Sequence, residues 1–350
     1  MLGTENLYTA AQTRALDQCA ICEHNIPGIT LMARAADAAL RYLLEVWPEP
    51  ERLQVICGTG SNGGDGFLMA DLAHKRGINV TVFQLGDLRK IVGDAALAMQ
   101  QAQVNGVEIV PFERDLLMPE GVIVDAMLGT GLRGEVRGVF VDAIAAINAS
   151  GAPVLAVDIP SGLCADTGSV LGSAVVADLT VTFVGLKRGL FTLQGPEYSG
   201  AVQFSDLAVF PVVYAAVPAH CARLALEPLL ERLPPRSASA HKGFFGNVLV
   251  VGGDYGFAGA AAMAAESALR CGAGLVQVAT RPEHVSALVA RTPEVMPRGV
   301  ASGDEFAAMV EAADVLVVGP GLGQSLWSIE LLRLSLACAK PLVLDADALN

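Results

Sequence analysis

Short apolar runs that alternate with helical stretches restrict the fold of this chain more than any other feature. Six such runs occupy the first part of the sequence: LQVIC, INVTVFQL, GVEIV, GVIVDAM, APVLAVDI and DLTVTFVG. They lack a sustained alternation of polar and apolar residues, which is typical of parallel strands covered by helices on both faces. The same rhythm restarts later with GNVLVVGG, GLVQVAT, DVLVVGPG and PLVLDADALN. The pattern predicts an α/β protein with doubly wound parallel sheets, which bind ligands at the carboxyl ends of their strands.

The length of the chain and the spacing of these runs indicate two domains. A chain of 350 residues exceeds a single domain of about 150 residues. Apolar residues at three- and four-residue intervals predict two helices before the first strand, over 9–25 and 28–47. The strand rhythm fades in a proline-containing stretch after residue 207, and we place the two domains at 1–219 and 220–350. Because no closing helix follows the last apolar run, we expect the second domain to be incomplete.

Composition excludes several classes of function. The chain carries 23 basic and 36 acidic residues, a formal charge of −13, whereas nucleic-acid binding needs a surplus of Lys and Arg. The N-terminus has no secretory signal and no uninterrupted apolar stretch is long enough to span a bilayer, so we expect a cytoplasmic protein without membrane contact. Its seven cysteines are then reduced thiols. Cys19 and Cys22 form a C-x-x-C without further metal ligands, which favours two helix-face residues.

The stretch GTGSNGGDG, residues 58–66, follows the first predicted strand and precedes a predicted helix. In that context glycines allow positive φ angles and close approach of a ligand, and amides at a helix start bind anions. Asn62 and Asp65 add oxygen atoms, which suit a ligand hydroxyl or a hard cation. The stretch matches neither the P-loop nor the G-x-G-x-x-G pattern. The alternative is a glycine-rich turn that serves packing alone.

Polar side chains also follow the later strands. Asp125 ends one strand and precedes MLGTGLRGEVRG, in which Arg133 could bind a phosphate or a carboxylate, or simply be solvated. Asp158 ends the strand of APVLAVDIPSG. Together with Asn62, these carboxylates are expected to meet at one edge of the sheet. Lys187 ends a fourth predicted strand, where partial burial could lower its pKa; a surface lysine is the alternative.

Four of these motifs, GTGSNGGDG, DAMLGTGLRGEVRG, VDIPSG and FVGLKRG, resemble the NAD(P)H-hydrate epimerase family in order and spacing, over residues 8–207. The stretch that begins HKGFFGNVLVVGG, with VVGPGLG and VLDADALN, resembles the ADP-dependent NAD(P)H-hydrate dehydratase family. In this order they resemble the bifunctional NAD(P)H-hydrate repair enzymes. The resemblance implies a Rossmann-like first domain followed by the first part of a ribokinase-like domain.

The resemblance also implies roles for individual residues. Contacts to the hydrated dinucleotide would come from Ser61, Asn62, Gly63, Gly64, Asp65, Gly129, Thr130, Gly131, Leu132, Arg133, Gly134, Glu135 and Asp158, with Ala260 and Gly321 in the second domain. A potassium ion would lie on Asn62, Asp125 and Ser161. Ser61 stands where the family commonly has asparagine and keeps a hydrogen-bonding group. The later motifs of the dehydratase family do not occur before Asn350, so we expect this second half to be inactive by itself.

The implied activity is repair of hydrated NADH and NADPH, a small-molecule substrate. The first domain would interconvert the R and S hydrates, with Asp158 as the acid/base group and Lys187 either orienting it or sharing its proton. In a complete chain the second domain would dehydrate the S hydrate with ADP and Mg²⁺, because divalent ions bridge phosphate oxygens. We also expect a homo-oligomer. Two alternatives remain: a non-catalytic nucleotide- or RNA-binding module of the same fold, and a ribokinase-like small-molecule kinase.

Overall fold

The computed structural model describes residues 6–113, 117–230 and 235–350. The chain divides into two compact units, Met1–Arg232 and Leu233–Asn350. The first unit thus extends past residue 219, where the sequence pattern placed the end of the first domain. The reason is that the strand Cys221–Ala222 pairs with Asn6–Tyr8 at the start of the first unit. No helix in these described ranges is both long enough and apolar enough to cross a membrane.

The first unit alternates strands and helices along most of its length. Its elements are β1 (Asn6–Tyr8), α1 (Ala10–Cys22), α2 (Gly28–Val46), β2 (Leu53–Cys57), α3 (Ser61–Lys75), β3 (Val80–Gln84), α4 (Asp94–Val104), β4 (Glu108–Pro111), β5 (Val122–Ala126), α5 (Val139–Ala149), β6 (Val154–Val157), β7 (Leu179–Phe183), β8 (Leu186–Lys187), α6 (Gly195–Ser199), β9 (Ala201–Ser205), α7 (Pro211–Ala216), β10 (Cys221–Ala222) and α8 (Leu226–Leu230). The six predicted strands and the two predicted N-terminal helices are all present.

Seven of these strands form a parallel sheet in the order β4-β3-β2-β5-β6-β7-β9. The chain first builds outward from β2 through β3 to β4 and then returns to place β5 on the other side of β2. Strands β2 and β5 therefore flank the topological switch point, where the loops at their carboxyl ends part to leave a crevice.

Helices cover both faces of this sheet, as predicted from the apolar runs. Val55 and Val124 pack in one core with residues of α1, α2, α3 and α4. The adjacent residues Ile56 and Ile123 pack in a second core with α5. Successive residues of a strand point to opposite faces, so each central strand contributes to both cores and needs apolar residues at every position.

A small second sheet, which the sequence pattern did not predict, has the order β10-β1-β8. Strand β1 is antiparallel to β10 and parallel to β8, with Tyr8 opposite Lys187. These strands are two or three residues long, too short to show a periodic pattern. The pairing brings the start of α1 next to the strand that carries Lys187.

The second unit repeats the α/β alternation. Its elements are β11 (Asn247–Val251), α9 (Ala258–Arg270), β12 (Leu275–Thr280), α10 (Val285–Arg291), β13 (Met296–Gly299), α11 (Gly303–Ala312), β14 (Val315–Val318), α12 (Leu326–Ala337) and β15 (Leu342–Leu344). They form a parallel sheet in the order β13-β12-β11-β14-β15. The four predicted strands are present, and β13 was missed because its sequence, MPRG, contains proline and arginine, which edge strands tolerate.

Candidate active site

The stretch 58–66 is not the loop that the sequence suggested, since α3 begins at Ser61 and includes residues 61–66 of it. Gly60 is the N-cap residue and has a negative φ of −98°. None of the five glycines in the stretch has a positive φ. The expectation that they provide left-handed backbone is therefore wrong, and another property of glycine must explain them.

Close approach of neighbouring atoms explains three of these glycines, with backbone as the obstacle at Gly58 and Gly63 and a side chain at Gly66. A Cβ atom on Gly58 would lie 2.0 Å from the Met127 carbonyl oxygen, and one on Gly63 would lie 2.2 Å from the Gly58 carbonyl oxygen. A Cβ on Gly66 would lie 2.6 Å from the Ala126 Cβ. The glycines therefore allow the loop after β2 and the start of α3 to pack closely on each other and on β5 with its following loop, at the switch point of the sheet.

A cavity of about 660 Å³ opens at these carboxyl ends, within the range of about 300–1,000 Å³ that is usual for small-molecule sites. The predicted residues that line it are Ser61, Asn62, Asp65, Gly129, Thr130, Gly131, Leu132, Arg133, Asp158 and Lys187. The remaining predicted residues of the first domain do not line the cavity. Four of them are buried, namely Gly63, Gly64, Asp125 and Ser161, and two are exposed, namely Gly134 and Glu135.

Asp125 and Ser161 form a fully buried pair behind the cavity wall. The Ser161 hydroxyl donates to Asp125 Oδ1 at 2.6 Å, and the Ser161 amide donates to Asp125 Oδ2 at 2.7 Å. The Leu128 amide in turn donates to Ser161 Oγ at 2.8 Å. Burial raises the pKa of Asp125 to about 6, although the hydrogen bonds from Ser161 oppose that rise. The pair joins the loop after β5 to the loop after β6.

Asn62 carries a buried polar atom that lacks a hydrogen-bond partner. It is 7% exposed, and its Nδ2 atom has no hydrogen-bond partner among the residues that the structure describes. Its side chain lies against Gly129, where an added Cβ would be 3.7 Å from Asn62 Oδ1. A buried amide without a partner is costly, so an external ligand at this point would relieve it.

Asp158 and Lys187 form an ion pair at the cavity wall. Lys187 is 1% exposed, and its Nζ donates to Asp158 Oδ1, to Thr182 Oγ1 at 3.0 Å and to the Phe183 carbonyl oxygen at 2.8 Å. The alternative of a surface lysine is therefore wrong. Lys187 also does not end a strand of the main sheet; it lies in β8 of the small sheet, which holds its side chain fully buried.

The Asp158 backbone has a φ of +68°, a left-handed conformation that is uncommon for a residue other than glycine. Its amide donates to the Val181 carbonyl oxygen at 2.7 Å. Each hydrogen bond to the Asp158 carboxylate from the described residues reaches Oδ1. Oδ2 therefore remains available to a ligand in the cavity.

Three further carboxyl groups line the cavity, those of Asp17, Asp65 and Asp94, and of these only Asp65 was predicted from the sequence to have a role in the site. Burial raises the pKa of Asp65 well above its ordinary value, and the charges of Asp158 and Asp17 raise it further. Burial also raises the pKa of Asp17 to about 6; Lys187 opposes this rise and Asp158 adds to it. Asp17 was missed because it lies on α1, away from the loops that follow strands. The helical spacing of Thr13, Asp17 and Ile21 was the available signal.

In the second unit, the structure brings the two predicted residues together at the carboxyl ends of β11 and β14. Ala260 lies in the first turn of α9, and a Cβ on Gly321 would be 3.1 Å from the Ala260 Cβ. Gly321 has a φ of +60°, which glycine adopts readily.

An ion pair supports the same edge of the second unit. Arg281 Nε donates to Asp254 Oδ1 at 2.7 Å, and the guanidinium lies over the rings of Tyr255 and Trp327 at 4.6 and 4.3 Å. Burial alone would raise the pKa of Asp254, but hydrogen bonds from Arg281 and Ser325 lower it to about 2. These contacts link the loops that follow β11, β12 and β14.

Comparison with known proteins agrees with both halves of this arrangement. Residues 28–189 match the family model described as YjeF-related protein N-terminus, and residues 248–350 match the one described as NAD(P)H-hydrate dehydratase. A crystal structure of a yeast protein superposes with a TM-score of 0.50 at 19% identity, and it covers 57% of this chain and 86% of that one. This likeness concerns the fold.

Two bifunctional NAD(P)H-hydrate repair enzymes are similar over nearly the whole chain. The one from Coxiella burnetii is 46% identical over 344 residues, which are 98% of this chain and 70% of the relative. The one from Escherichia coli is 40% identical over 331 residues, which are 93% of this chain and 64% of the relative. The chain thus spans about two thirds of the length of these relatives. It belongs to the family of bifunctional NAD(P)H-hydrate repair enzymes, which confirms the resemblance of its motifs.

Proposed function

We propose that the cavity of the first unit interconverts the R and S hydrates of NADH and NADPH. The observation that carries this proposal is the Asp158–Lys187 pair, whose Asp158 Oδ2 is left available in a cavity at the switch point of the sheet. The similar proteins from Coxiella burnetii and Escherichia coli are named for the repair of these hydrates. A doubly wound sheet binds nucleotides at this position.

The dinucleotide would be held by the two segments that line the cavity on either side of the switch point. Ser61 and Asn62 lie in the first turn of α3, whose free amides attract phosphate groups, and Asp65 follows in the same helix. The exposed Arg133 in the loop after β5 supplies a cation that can bind a phosphate. The buried glycines Gly63 and Gly64 support this wall from behind, and their direct contact with substrate remains a prediction.

The chemistry follows from the position of the hydroxyl group, on the carbon beside the ring nitrogen. When an acid protonates the hydroxyl, the C–O bond breaks, water leaves, and the nitrogen lone pair forms a C=N⁺ bond. Water then adds to the opposite face of the planar cation and loses a proton, which restores the lone pair and inverts the carbon. Asp158 is the group that we assign to this proton transfer, and Lys187 fixes its orientation.

Oxygen atoms in the cavity wall and directly behind it would suit a potassium ion. Asn62, Asp125 and Ser161 offer an amide, a carboxylate and a hydroxyl oxygen, the ligand types that a hard cation takes. Asp125 is fully buried and forms no salt bridge with any described residue. A bound cation would supply the missing positive charge and hold the loops after β5 and β6 in place for an anionic dinucleotide.

For the whole protein we propose ADP-dependent dehydration of the S hydrate by the dehydratase domain. Ala260 and Gly321 are the residues of this chain that we assign to the hydrate there. The described part of the second unit holds no group of three carboxylate, histidine or cysteine ligands. We assign no residue of this chain to Mg²⁺ or ADP. We further propose a cytoplasmic homo-oligomer that binds neither nucleic acid nor membrane.

The proposal is tested with separated R and S hydrates, whose interconversion is followed by chromatography with the purified chain. Asp158→Asn should slow interconversion by about 10²- to 10⁴-fold, while binding of the dinucleotide stays measurable. Asp142→Asn, which changes an exposed carboxylate on α5, is the matched control and should react at the rate of the unchanged chain. Equal rates for both variants would exclude Asp158 as the acid/base group, and no interconversion by the unchanged chain would overturn the proposed function.

A further inference from the structure

Helix α1 forms one wall of the cavity, although none of the four motifs that resemble the epimerase family lies on it. Thr13, Arg14, Asp17 and Ile21 line the cavity at helical spacing. The helix is held firmly at its start, because Thr9 accepts a hydrogen bond from the Gln12 amide while the Gln12 side chain accepts one from the Thr9 amide. The Ala10 amide also donates to Asp166 Oδ1 at 2.6 Å.

The small sheet connects this helix to the ion pair of the site. In β1, Tyr8 lies opposite Lys187 of β8, and α1 follows β1 after the single residue Thr9. The position of Asp17 relative to Lys187 is thus set by strand pairing at one end and by the capped helix at the other. Such rigid support from regular elements is what a catalytic group requires.

The Asp17 carboxyl faces several ionisable groups and accepts no hydrogen bond from any described residue. Electrostatic interactions link it to Lys187 from β8, Asp158 from the loop after β6, Asp65 from α3 and Tyr214 from α7. The same cavity is also lined by charged residues from three elements, Arg14 of its own helix, Asp94 of α4 and Arg133 of the loop after β5. Asp17 is therefore a partly enclosed carboxyl that no donor among the described residues satisfies, and it lines the same cavity as the ion pair.

Epimerisation requires two proton transfers on opposite faces of the planar cation, one to the leaving hydroxyl and one from the entering water. Asp158 is the salt-bridge partner of Lys187 and belongs to the sheet edge, whereas Asp17 belongs to α1. Two carboxyl groups on different walls can serve the two faces when they hold one proton between them.

Resting on the proposed epimerase function, we propose that Asp17 is a second acid/base residue of the site and acts together with Asp158. In one direction Asp17 gives its proton to the hydroxyl as the C–O bond breaks, and Asp158 takes a proton from the water that forms the new C–O bond. In the other direction the two groups exchange roles. Neither direction needs a further reactant, since one water leaves and one enters.

The pH dependence of the reaction distinguishes this role from a structural one. Both directions need the state in which the pair holds one proton, so kcat/KM should fall about tenfold per pH unit above the pKa at which that proton is lost, near pH 6 for Asp17. Asp17→Asn should lower kcat/KM by about 10²- to 10⁴-fold and remove this limb of the profile. Asp17→Glu should retain a limb at a shifted pH.

Controls separate the possible outcomes. Gln18→Ala changes the next, exposed residue of α1 and should keep the full profile, and thermal unfolding of each variant shows whether it is folded. A folded Asp17→Asn that keeps the rate and the limb overturns the inference while the epimerase function stands. Loss of the limb in Asp65→Asn, with its retention in Asp17→Asn, assigns the proton to Asp65 and also overturns it. Absence of interconversion in the unchanged chain instead defeats the proposed function itself.

Discussion

Gly58→Ala and Gly63→Ala should disrupt the backbone at the cavity of the first unit, whereas Gly60→Ala, which lies between them, should not. Alanine at position 58 would place its Cβ 2.0 Å from the Met127 carbonyl oxygen, and alanine at position 63 would place it 2.2 Å from the Gly58 carbonyl oxygen. Ordinary contacts of a Cβ atom begin near 3.4 Å. Alanine at position 60 meets nothing within 4 Å, and Gly60 is exposed with a negative φ.

The size of the expected destabilisation follows from the overlap between each added Cβ atom and the carbonyl oxygen that it meets. In both tight positions the obstacle is backbone, so the turn between β2 and α3 must move by more than about 1 Å, and overpacking of this kind costs about 1–3 kcal/mol. The better helix propensity of alanine offsets about 1 kcal/mol of this at position 63. A displacement of about 1 Å at reacting groups can cost 10²-fold in rate, so Gly58→Ala and Gly63→Ala should lose more activity than stability.

Urea unfolding and hydrate interconversion measure the two effects. The chain contains two tryptophans, and in a Trp327→Phe background the fluorescence of Trp47 reports on the first unit alone. Gly60→Ala should shift the unfolding free energy by no more than about 0.5 kcal/mol, because its Cβ would meet no protein atom within 4 Å. If Gly63→Ala and Gly58→Ala matched Gly60→Ala in both measurements, the explanation of these glycines by close approach would be refuted.

Two further predictions concern the ion site and the second unit. At a K⁺ concentration 100 times its Kd, thermal unfolding should show the first unit to be about 2.7 kcal/mol more stable than in Na⁺. Asp125→Asn should abolish this difference between the two ions. An equal response of the variant and the unchanged chain would contradict the potassium site. Arg281→Met should destabilise the second unit by about 2 kcal/mol at pH 7, because the folded pKa of Asp254 is depressed to about 2. Because its folded pKa is depressed, Asp254 contributes stability above its unfolded pKa near 4, and this stability is lost as the pH falls through the folded pKa near 2. The difference in unfolding free energy between Arg281→Met and the unchanged chain, measured in urea, should therefore shrink over that pH range. A difference that stayed constant with pH would show that the ion pair is not its cause.

The main sheet could be predicted from the sequence because its strands are buried on both faces. Val55 and Ile56 must both be apolar when they enter different cores, and the resulting runs stand out from the amphipathic helices between them. The convergence of Asn62, Asp125 and Asp158 followed from the same pattern, since parallel strands place their carboxyl ends at one edge. Strand β13 lacked this signal because an edge strand with proline and arginine is not covered in the same way.

The remaining features of the site depend on contacts that no local pattern encodes. Glycines at 58 and 63 suggested left-handed backbone, but what excludes a side chain there is a carbonyl oxygen, that of Met127 in one case, which lies far away in the sequence. The burial of Lys187 depends on the two-residue strand β8 and on its partner β1, nearly the full length of the first unit apart. That pairing is also what places α1, and with it Asp17, beside Asp158. A site built from loops after strands could thus be located from sequence, whereas a wall contributed by a helix outside the main sheet required the structure, because helical spacing alone does not tell a cavity-facing carboxylate from a solvent-facing one.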